Sequence, residues 1–302
     1  MEKSNRNPIL EVNFLYLFLG LLLFFGGSIV QRKEIYSGLM ITEYIIILLP
    51  NLIYLKSKGL DLKKSLKLNK INLKQAWYTI LIVVFSYPVA IFLNTLVITI
   101  LGFFGEITPS TVPIPENPML YFISIFVIAL SPGICEEIMF RGTIMNAYDN
   151  IGKKKAIIFS AILFGLFHLN LQNLVGPIFL GLIFGIIVYK TNSIYSSILA
   201  HTINNSLSMT IGYFAMKAQN EMGDVSSYEM PHQIQMLILL AVLGIFAIGS
   251  LMIVIRLIKK IPQGHEDICE GIEYNSPSLV HYLPILGIII LFIIINVKYL
   301  FL

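Results

Sequence analysis

Three short stretches of the chain place ionisable and amide side chains inside runs that are otherwise apolar. The first, SPGICEEIMFRG at 131–142, directly follows the uncharged run MLYFISIFVIAL. The second is FGLFH and the third is HTINN, each within an apolar run of its own. Their polar members, with one aromatic neighbour, are Glu136, Glu137, Arg141, Phe164, His168, His201 and Asn205. A charged side chain at a bilayer centre costs about 3 kcal/mol on insertion scales, so each needs pairing, shallow placement or a function.

The spacing of the first stretch separates its two glutamates. Glu137 and Arg141 are four residues apart, share one face of a helix and can form an ion pair with the favoured acid-first order. Glu136 points about 100° away from Glu137 and is left without a partner. One alternative is that all three groups lie at the membrane interface and only anchor the helix, with their polar ends reaching water. Each histidine, taken alone, can likewise be a hydrogen bond between helices.

Taken together, these side chains are suited to hydrolysing an amide bond. A desolvated glutamate can take a proton from water as a general base. Histidines can hold that water directly or through Zn²⁺, and Asn and His can donate hydrogen bonds to the developing oxyanion. His201 and Asn205 are four residues apart and share a helix face. The two histidines come from different helices, so this is not the H-E-x-x-H pattern of a zinc-binding helix.

The composition predicts the elements that must position these groups. The chain has 302 residues, of which 56% are hydrophobic and 13% charged, and its mean hydropathy is +0.80. This places it in the membrane class, and continuous apolar runs favour helices over a β-barrel. We predict an all-α, polytopic membrane helix bundle of about 8–9 transmembrane helices. The predicted spans are 11–30, 38–55, 76–104, 119–148, 154–170, 173–190, 193–213, 234–258 and 279–297.

Lysine and arginine positions predict the orientation of these spans. Most of the 21 basic residues fall on one side if the spans alternate, including the lysine-rich segment at 56–74. The positive-inside rule then predicts a multi-pass plasma-membrane protein with a cytoplasmic N-terminus. The basic residues are explained as topology determinants and contacts to the lipid bilayer, so we expect no nucleic-acid partner. Cys135 and Cys269 form neither a disulfide framework nor a zinc motif.

The three stretches also resemble the signature of a known family. EEIMFR, FGLFH and HTINN are similar, in order and in helix placement, to the EExxxR, FxxxH and HxxxN motifs of the family of type II CAAX prenyl endopeptidases and bacteriocin-processing and self-immunity proteins. The resemblance covers about 119–210. It suggests a division into an N-terminal hairpin and basic loop at 1–75, a protease core at 76–213, and extra C-terminal helices at 214–302.

The resemblance implies an intramembrane endopeptidase acting on membrane-associated peptides or proteins. Glu136 would activate water, His168 and His201 would position it or a metal, and Asn205 would join His201 in stabilising the oxyanion. Arg141 and Phe164 would support the site, as would Glu137, which could also share the base or metal role. The family has been described both as metalloproteases, with Zn²⁺ here held by Glu136, His168 and His201, and as glutamate-dependent proteases.

Two functions from other classes are alternatives. A non-catalytic membrane scaffold or regulator of cell-envelope enzymes would keep the fold without needing proteolysis, although the intact motifs argue against it. A proton-coupled transporter would also explain intramembrane Glu and His, but it predicts inverted repeats, and no motif has a second copy. Lys-, Ile- and Asn-rich composition is typical of a bacterial protein, for which peptide pheromones, bacteriocin leaders and membrane-anchored regulators are the candidate substrates. The sequence indicates no oligomeric state.

Overall fold

The computed structural model describes residues 7–105, 107, 112–222, 232–264 and 277–301, and this part of the chain contains helices and no strands. The predicted all-α, polytopic bundle is confirmed. Nine longer helices build it: α1 Pro8–Lys33, α2 Ile35–Ser57, α3 Leu73–Leu101, α4 Pro118–Ile151, α5 Lys153–Phe167, α6 Val175–Thr191, α7 Ile194–Met222, α8 His232–Lys260 and α9 Leu283–Phe301.

Seven of these helices are long and apolar enough to cross a membrane. They are Pro8–Lys33, Ile35–Ser57, Leu73–Leu101, Pro118–Ile151, Leu171–Thr191, Ile234–Lys260 and Leu279–Val297. The chain is therefore a multi-pass membrane protein. The other two predicted spans form helices that do not meet this measure. Helix α5 has 15 residues, fewer than the roughly 20 that a span needs. Helix α7 has 29 residues but carries many polar side chains, which lower its hydropathy.

Side-chain caps fix where several of the helices begin. The Glu34 carboxylate accepts hydrogen bonds from the first turn of α2, and Asn72 and Gln75 form a reciprocal capping box at the start of α3. The side chain of Asn117 accepts from a backbone amide of α4, and Pro118 occupies the first turn, where its missing N–H costs nothing. Local sequence therefore specifies where α2, α3 and α4 begin, and α4 carries the first of the polar stretches.

Three of the long helices contain π-helical segments. These are Leu23–Gly27 in α1, Thr42–Leu48 in α2, and Ile125–Leu130 and Ile138–Ile144 in α4. Such segments are frequent at functional sites because they change the direction in which side chains leave the helix. Two of the four flank the Glu136–Glu137 step of α4.

The helix ends alternate between two ends of the bundle, as the predicted topology requires. One end, which we call the basic end, joins the start of α1 to the end of α2 through an ion pair of Lys58 with Glu11 at 2.8 Å. The backbone at Lys67 accepts from Ile194 N at 3.1 Å, and Lys190 O accepts from Gly264 N at 2.8 Å. The loops rich in lysine thus gather at one end. That this end is cytoplasmic stays a prediction, as does the division of the chain at residues 75 and 213.

The buried apolar side chains form two clusters on either side of the polar stretches. The first joins α1, α4, α5 and α9 and includes Tyr16, Phe140 and Ile288. The second joins α3, α6, α7 and α8 and includes Phe184 and Val254. The facing sides of α4 and α7 lie between these clusters, so the polar side chains are enclosed by apolar packing.

Candidate active site

A buried chain of polar side chains links α4 to α7. Arg141 Nη1 donates to Glu137 Oε1 at 2.8 Å, and His201 Nδ1 donates to the same oxygen at 2.9 Å. A second arm of the guanidinium, Nη2, donates to the backbone carbonyl of Gly181 in α6 at 3.1 Å. The side chains of Glu137 and Arg141 are fully buried. Removing one of them would leave the other as an unpaired buried charge, which destabilises a protein far more than breaking an ion pair at the surface.

Two phenylalanines enclose this chain. The Arg141 guanidinium lies 4.7 Å from the ring centroid of Phe164 and 5.3 Å from that of Phe184, within the range of cation–π attraction. The His201 ring contacts the same two aromatic rings, with centroids 5.6 and 5.5 Å away. Phe164 therefore packs against both the cation and the imidazole, which fits the supporting role predicted for it.

Glycines allow the helices to approach this closely. A Cβ added at Gly133 in α4 would lie 2.4 Å from the Thr202 hydroxyl oxygen and 3.2 Å from its backbone nitrogen in α7. A Cβ added at Gly181 in α6 would lie 2.9 Å from the Cα of Ala161 in α5. All three distances are shorter than ordinary van der Waals contacts. Gly133 thus allows α4, which carries the glutamates, to lie close to α7, which carries His201. Gly181, whose carbonyl accepts from Arg141, allows α6 to lie close to α5.

Glu136 has a different environment from its neighbour. Its Oε2 lies 3.9 Å from His201 Nε2, and its side chain keeps 14% of its exposure. Since His201 Nδ1 donates its hydrogen to Glu137, Nε2 of the neutral ring is an acceptor that faces the Glu136 carboxylate. The gap is too long for a direct hydrogen bond and suits a bridging water. Glu136 also lines a cavity of about 300 Å³.

His168 lies at the same cavity but beyond the end of its helix. The predicted span at 154–170 is too long, because α5 ends at Phe167 and His168 is its C-terminal cap residue. The next residue, Leu169, has a positive φ of 51°, which turns the chain away from the helix axis. His168 Nδ1 donates to the carbonyl of Phe164 at 2.9 Å, which leaves Nε2 as the free ring atom. The side chain is exposed and lines the cavity together with Glu136.

Asn205 lies one turn after His201, but its amide is engaged elsewhere. Its Nδ2 donates to the carbonyl of Ile128 in α4 at 3.1 Å, and its Oδ1 accepts from Asn204 at 3.1 Å. Within the described part of the chain it makes no hydrogen bond to Glu136, Glu137 or His201. The structure therefore brings Glu136, Glu137, Arg141, Phe164 and His201 into one cluster, with His168 at the adjoining cavity and Asn205 on the neighbouring turn.

The predicted metal ligands do not form a metal site as they are arranged. Among the described residues, no three His, Cys, Asp or Glu side chains are close enough to hold a metal ion. The Nδ1 atoms of His168 and His201 are both occupied by hydrogen bonds, so Nε2 is the ring atom of each that could bind a metal ion. Zn²⁺ at Glu136, His168 and His201 stays a prediction, and no chemical step below uses it.

One acidic residue at this cavity was missed by the sequence analysis. Glu43 lies in the π-helical segment of α2 and is 5% exposed. It lines the same cavity as Glu136 and His168. Glu43 was the only charged residue in the predicted span at 38–55, and a single acid in such a run is itself a signal of a functional site.

Comparison with protein-family models supports the resemblance read from the motifs. Residues 118–207 match the model described as type II CAAX prenyl endopeptidase Rce1-like. The matched region begins at the first residue of α4 and includes every residue assigned to the candidate site from the three motifs. It covers less than a third of the chain. No curated protein and no solved structure matches the chain.

Proposed function

We propose that the Rce1-like region at 118–207 makes this chain an intramembrane endopeptidase that hydrolyses peptide bonds with a water activated by Glu136. The observation that carries the proposal is the placement of the His201 ring between two adjacent glutamates of α4. Glu137 holds Nδ1 at 2.9 Å, and Glu136 faces Nε2 at 3.9 Å. The Glu137 carboxylate would orient the imidazole, and the Glu136 carboxylate lies where it and Nε2 could contact the same water molecule. This is the arrangement that a general base and its orienting group require.

One water molecule beside Glu136 and His201 can contact both side chains. An oxygen about 2.8 Å from both Glu136 Oε2 and His201 Nε2 can donate one hydrogen to each. Glu136 then removes a proton as the water oxygen attacks the substrate carbonyl, forming the tetrahedral intermediate. As the C–N bond breaks, the protonated Glu136 gives that proton to the departing amine nitrogen. The atoms balance without a further reactant, because water supplies the hydroxyl of one product and the hydrogen of the other.

The remaining side chains would support this reaction from fixed positions. Glu137 and Arg141 hold the His201 ring in one orientation and one tautomer, as the third member of a catalytic triad does. The Asn205 amide donates one of its two hydrogens to the Ile128 carbonyl, and it would donate the second one to the oxyanion. His168, with its free Nε2 at the cavity, would contact the substrate or the water from the other side.

The substrate we propose is a membrane-associated peptide or protein. The cluster lies within the helix bundle, enclosed by apolar side chains, and a peptide bond must be brought there from the membrane rather than from bulk solvent. In a bacterial plasma membrane, with the N-terminus in the cytoplasm, peptide pheromones and bacteriocin leaders are the substrate classes of this kind that the family resemblance suggests.

The decisive experiment compares Glu136→Gln and His201→Ala with the wild type. Peptides released by cells carrying each version are identified by mass spectrometry, and the amount of membrane protein is measured beside them. Loss of a general base removes about a hundredfold to ten-thousandfold of rate, so both variants should lose processing while still accumulating. Glu11→Gln, which changes a partly exposed glutamate paired with Lys58 at the basic end, is the matched control and should process normally. Unchanged peptides and unchanged phenotype in both site variants would favour the scaffold.

A further inference from the structure

The Glu43 carboxyl has a buried oxygen without a partner. Its Oε2 is inaccessible to solvent and has no hydrogen-bond partner among the described residues. A buried carboxylate without a partner is strongly unfavourable, whereas pairing with a cation and hydrogen bonds offsets much of that cost. Nothing in the proposed reaction uses Glu43, so its position in the middle of an apolar helix calls for a separate explanation.

The wall of the cavity in front of Glu43 contains two carboxyl groups, with polar side chains and apolar side chains around them. It measures about 300 Å³, which is the lower end of the range for ligand sites. Glu43 and Glu136 both contribute to its wall, and the lining contains no lysine or arginine. Gln31 Nε2 donates to Thr42 Oγ1 at 3.0 Å beside it, so this polar pair is already satisfied. The apolar part of the lining is Leu23, Phe24, Leu39, Ile47, Phe167 and Leu169.

We propose that this cavity binds a cationic side chain of the substrate, with Glu43 as its counter-ion. Lysine and arginine have an apolar stem and a charged end, which matches an apolar wall with a carboxylate set into it. Because Glu136 lies on the same cavity, the bound residue would be next to the bond that is cleaved. This inference rests on the proposed function for that placement, whereas the binding of a cation depends only on the cavity.

Among the described residues that line the cavity, His168 is the side chain that competes with this assignment. Its imidazole lines the same cavity and becomes a cation when protonated, and it could then neutralise the carboxylates without any ligand. The two cases differ in a measurable way. A cavity that already contains its own counter-ion gains nothing from an added ammonium group, whereas a cavity that lacks one binds the ammonium group more tightly than a neutral analogue.

The test measures the binding of dansylcadaverine and its N-acetylated counterpart to purified protein in lipid nanodiscs, by fluorescence. The two probes share a fluorophore and a five-carbon arm, and they differ in the terminal ammonium. We expect the wild type to bind the ammonium probe about tenfold or more tightly than the neutral one, as for a charge-assisted hydrogen bond. Glu43→Gln should abolish this preference, and Glu11→Gln should retain it. Equal binding of both probes to the wild type, or an unchanged preference in Glu43→Gln, would overturn the proposal.

A second measurement needs no variant and covers the case in which Glu43→Gln does not fold. The apolar reagent dicyclohexylcarbodiimide modifies buried carboxyl groups, and peptide mass spectrometry locates the adduct. The ammonium probe should protect wild-type Glu43 from modification, while the acetylated probe should not. Protection by both or by neither contradicts the cation site. Binding needs no turnover, so a protein that shows the probe preference but no Glu136-dependent processing would refute the endopeptidase and keep the cation site.

Discussion

Removing the guanidinium of Arg141 should destabilise the protein far more than changing Glu136, the proposed base. Arg141→Met keeps most of the apolar stem but leaves the fully buried Glu137 carboxylate without its ion-pair partner at 2.8 Å. It also removes the donor to the Gly181 carbonyl at 3.1 Å and the contacts of the cation with two phenylalanine rings. Breaking a buried pair by removing one partner costs about 3–5 kcal/mol, and we expect a loss in that range.

The matched control is Glu136→Gln on the adjacent position of α4. The Glu136 carboxylate makes its closest charged contact at 3.9 Å and remains partly exposed, so its replacement should change the free energy of unfolding by less than about 1 kcal/mol. Both values are measured by unfolding the purified proteins with sodium dodecyl sulfate in mixed micelles. Equal destabilisation by the two substitutions would refute the division of roles between the glutamates.

The double variant Glu137→Gln/Arg141→Met isolates the pair itself. Because it leaves neither charge stranded, its loss of stability should be smaller than the sum of the two single losses by roughly 2–3 kcal/mol. Proteolysis should nevertheless stay low, since His201 Nδ1 would no longer donate to a carboxylate. Additive stability losses would show that the two side chains are not coupled, and restored proteolysis would show that Glu137 does not position His201.

Three further predictions concern the helix contact, the oxyanion and the cap of α2. Gly133→Ala should separate α4 from Thr202 and lower proteolysis. The control is Gly249→Ala, whose added methyl has no atom within 4 Å, and equal proteolysis by the two variants would contradict the close contact. Asn205→Ala should lower kcat about 10²–10³-fold with little change in KM, and a pure KM effect would contradict an oxyanion role. Hydrogen bonds from the Ser37 hydroxyl and from the backbone amides of Ser37 and Tyr36 lower the pKa of Glu34. Its capping of α2 should therefore be present above the ordinary glutamate pKa and lost as pH falls through the lowered one. Hydrogen exchange of the backbone amides in the first turn of α2 should then increase at acidic pH in the wild type relative to Glu34→Gln. An identical pH response in the two proteins would contradict the capping role of Glu34.

The helices and the central ion pair could be predicted from local sequence because local rules govern them. Apolar runs longer than the bilayer core predict spans, and a spacing of four residues places Glu137 and Arg141 on one face. The same spacing predicted that Glu136 would be left unpaired. The histidines could be assigned to the site because a polar side chain in an apolar run must face other protein groups.

What the sequence could not show depends on packing between distant segments. The end of α5 at Phe167 is set by the turn at Leu169, and no glycine or proline in the sequence marks it. The bond from Asn205 to the Ile128 carbonyl requires the facing helix to be in place. Glu43 is 93 positions before Glu136 in the chain, so only the packing of α2 against α4 shows that they share a cavity.

The adjacent glutamates of α4 show how one helix can hold a stability function and a chemical one at the same time. A turn of about 100° between neighbouring residues directs Glu137 toward Arg141 and His201, where its Oε1 accepts a hydrogen bond from each. Glu136 is directed toward the cavity, where it keeps 14% of its exposure and has no close hydrogen bond to a cation. A carboxylate held by two buried donors stays in one position, whereas a carboxylate at a cavity can contact a water molecule. Its place at the cavity is therefore what suits Glu136 to the proposed reaction with water, and the hydrogen bond from His201 to Glu137 is what keeps the imidazole beside it in place.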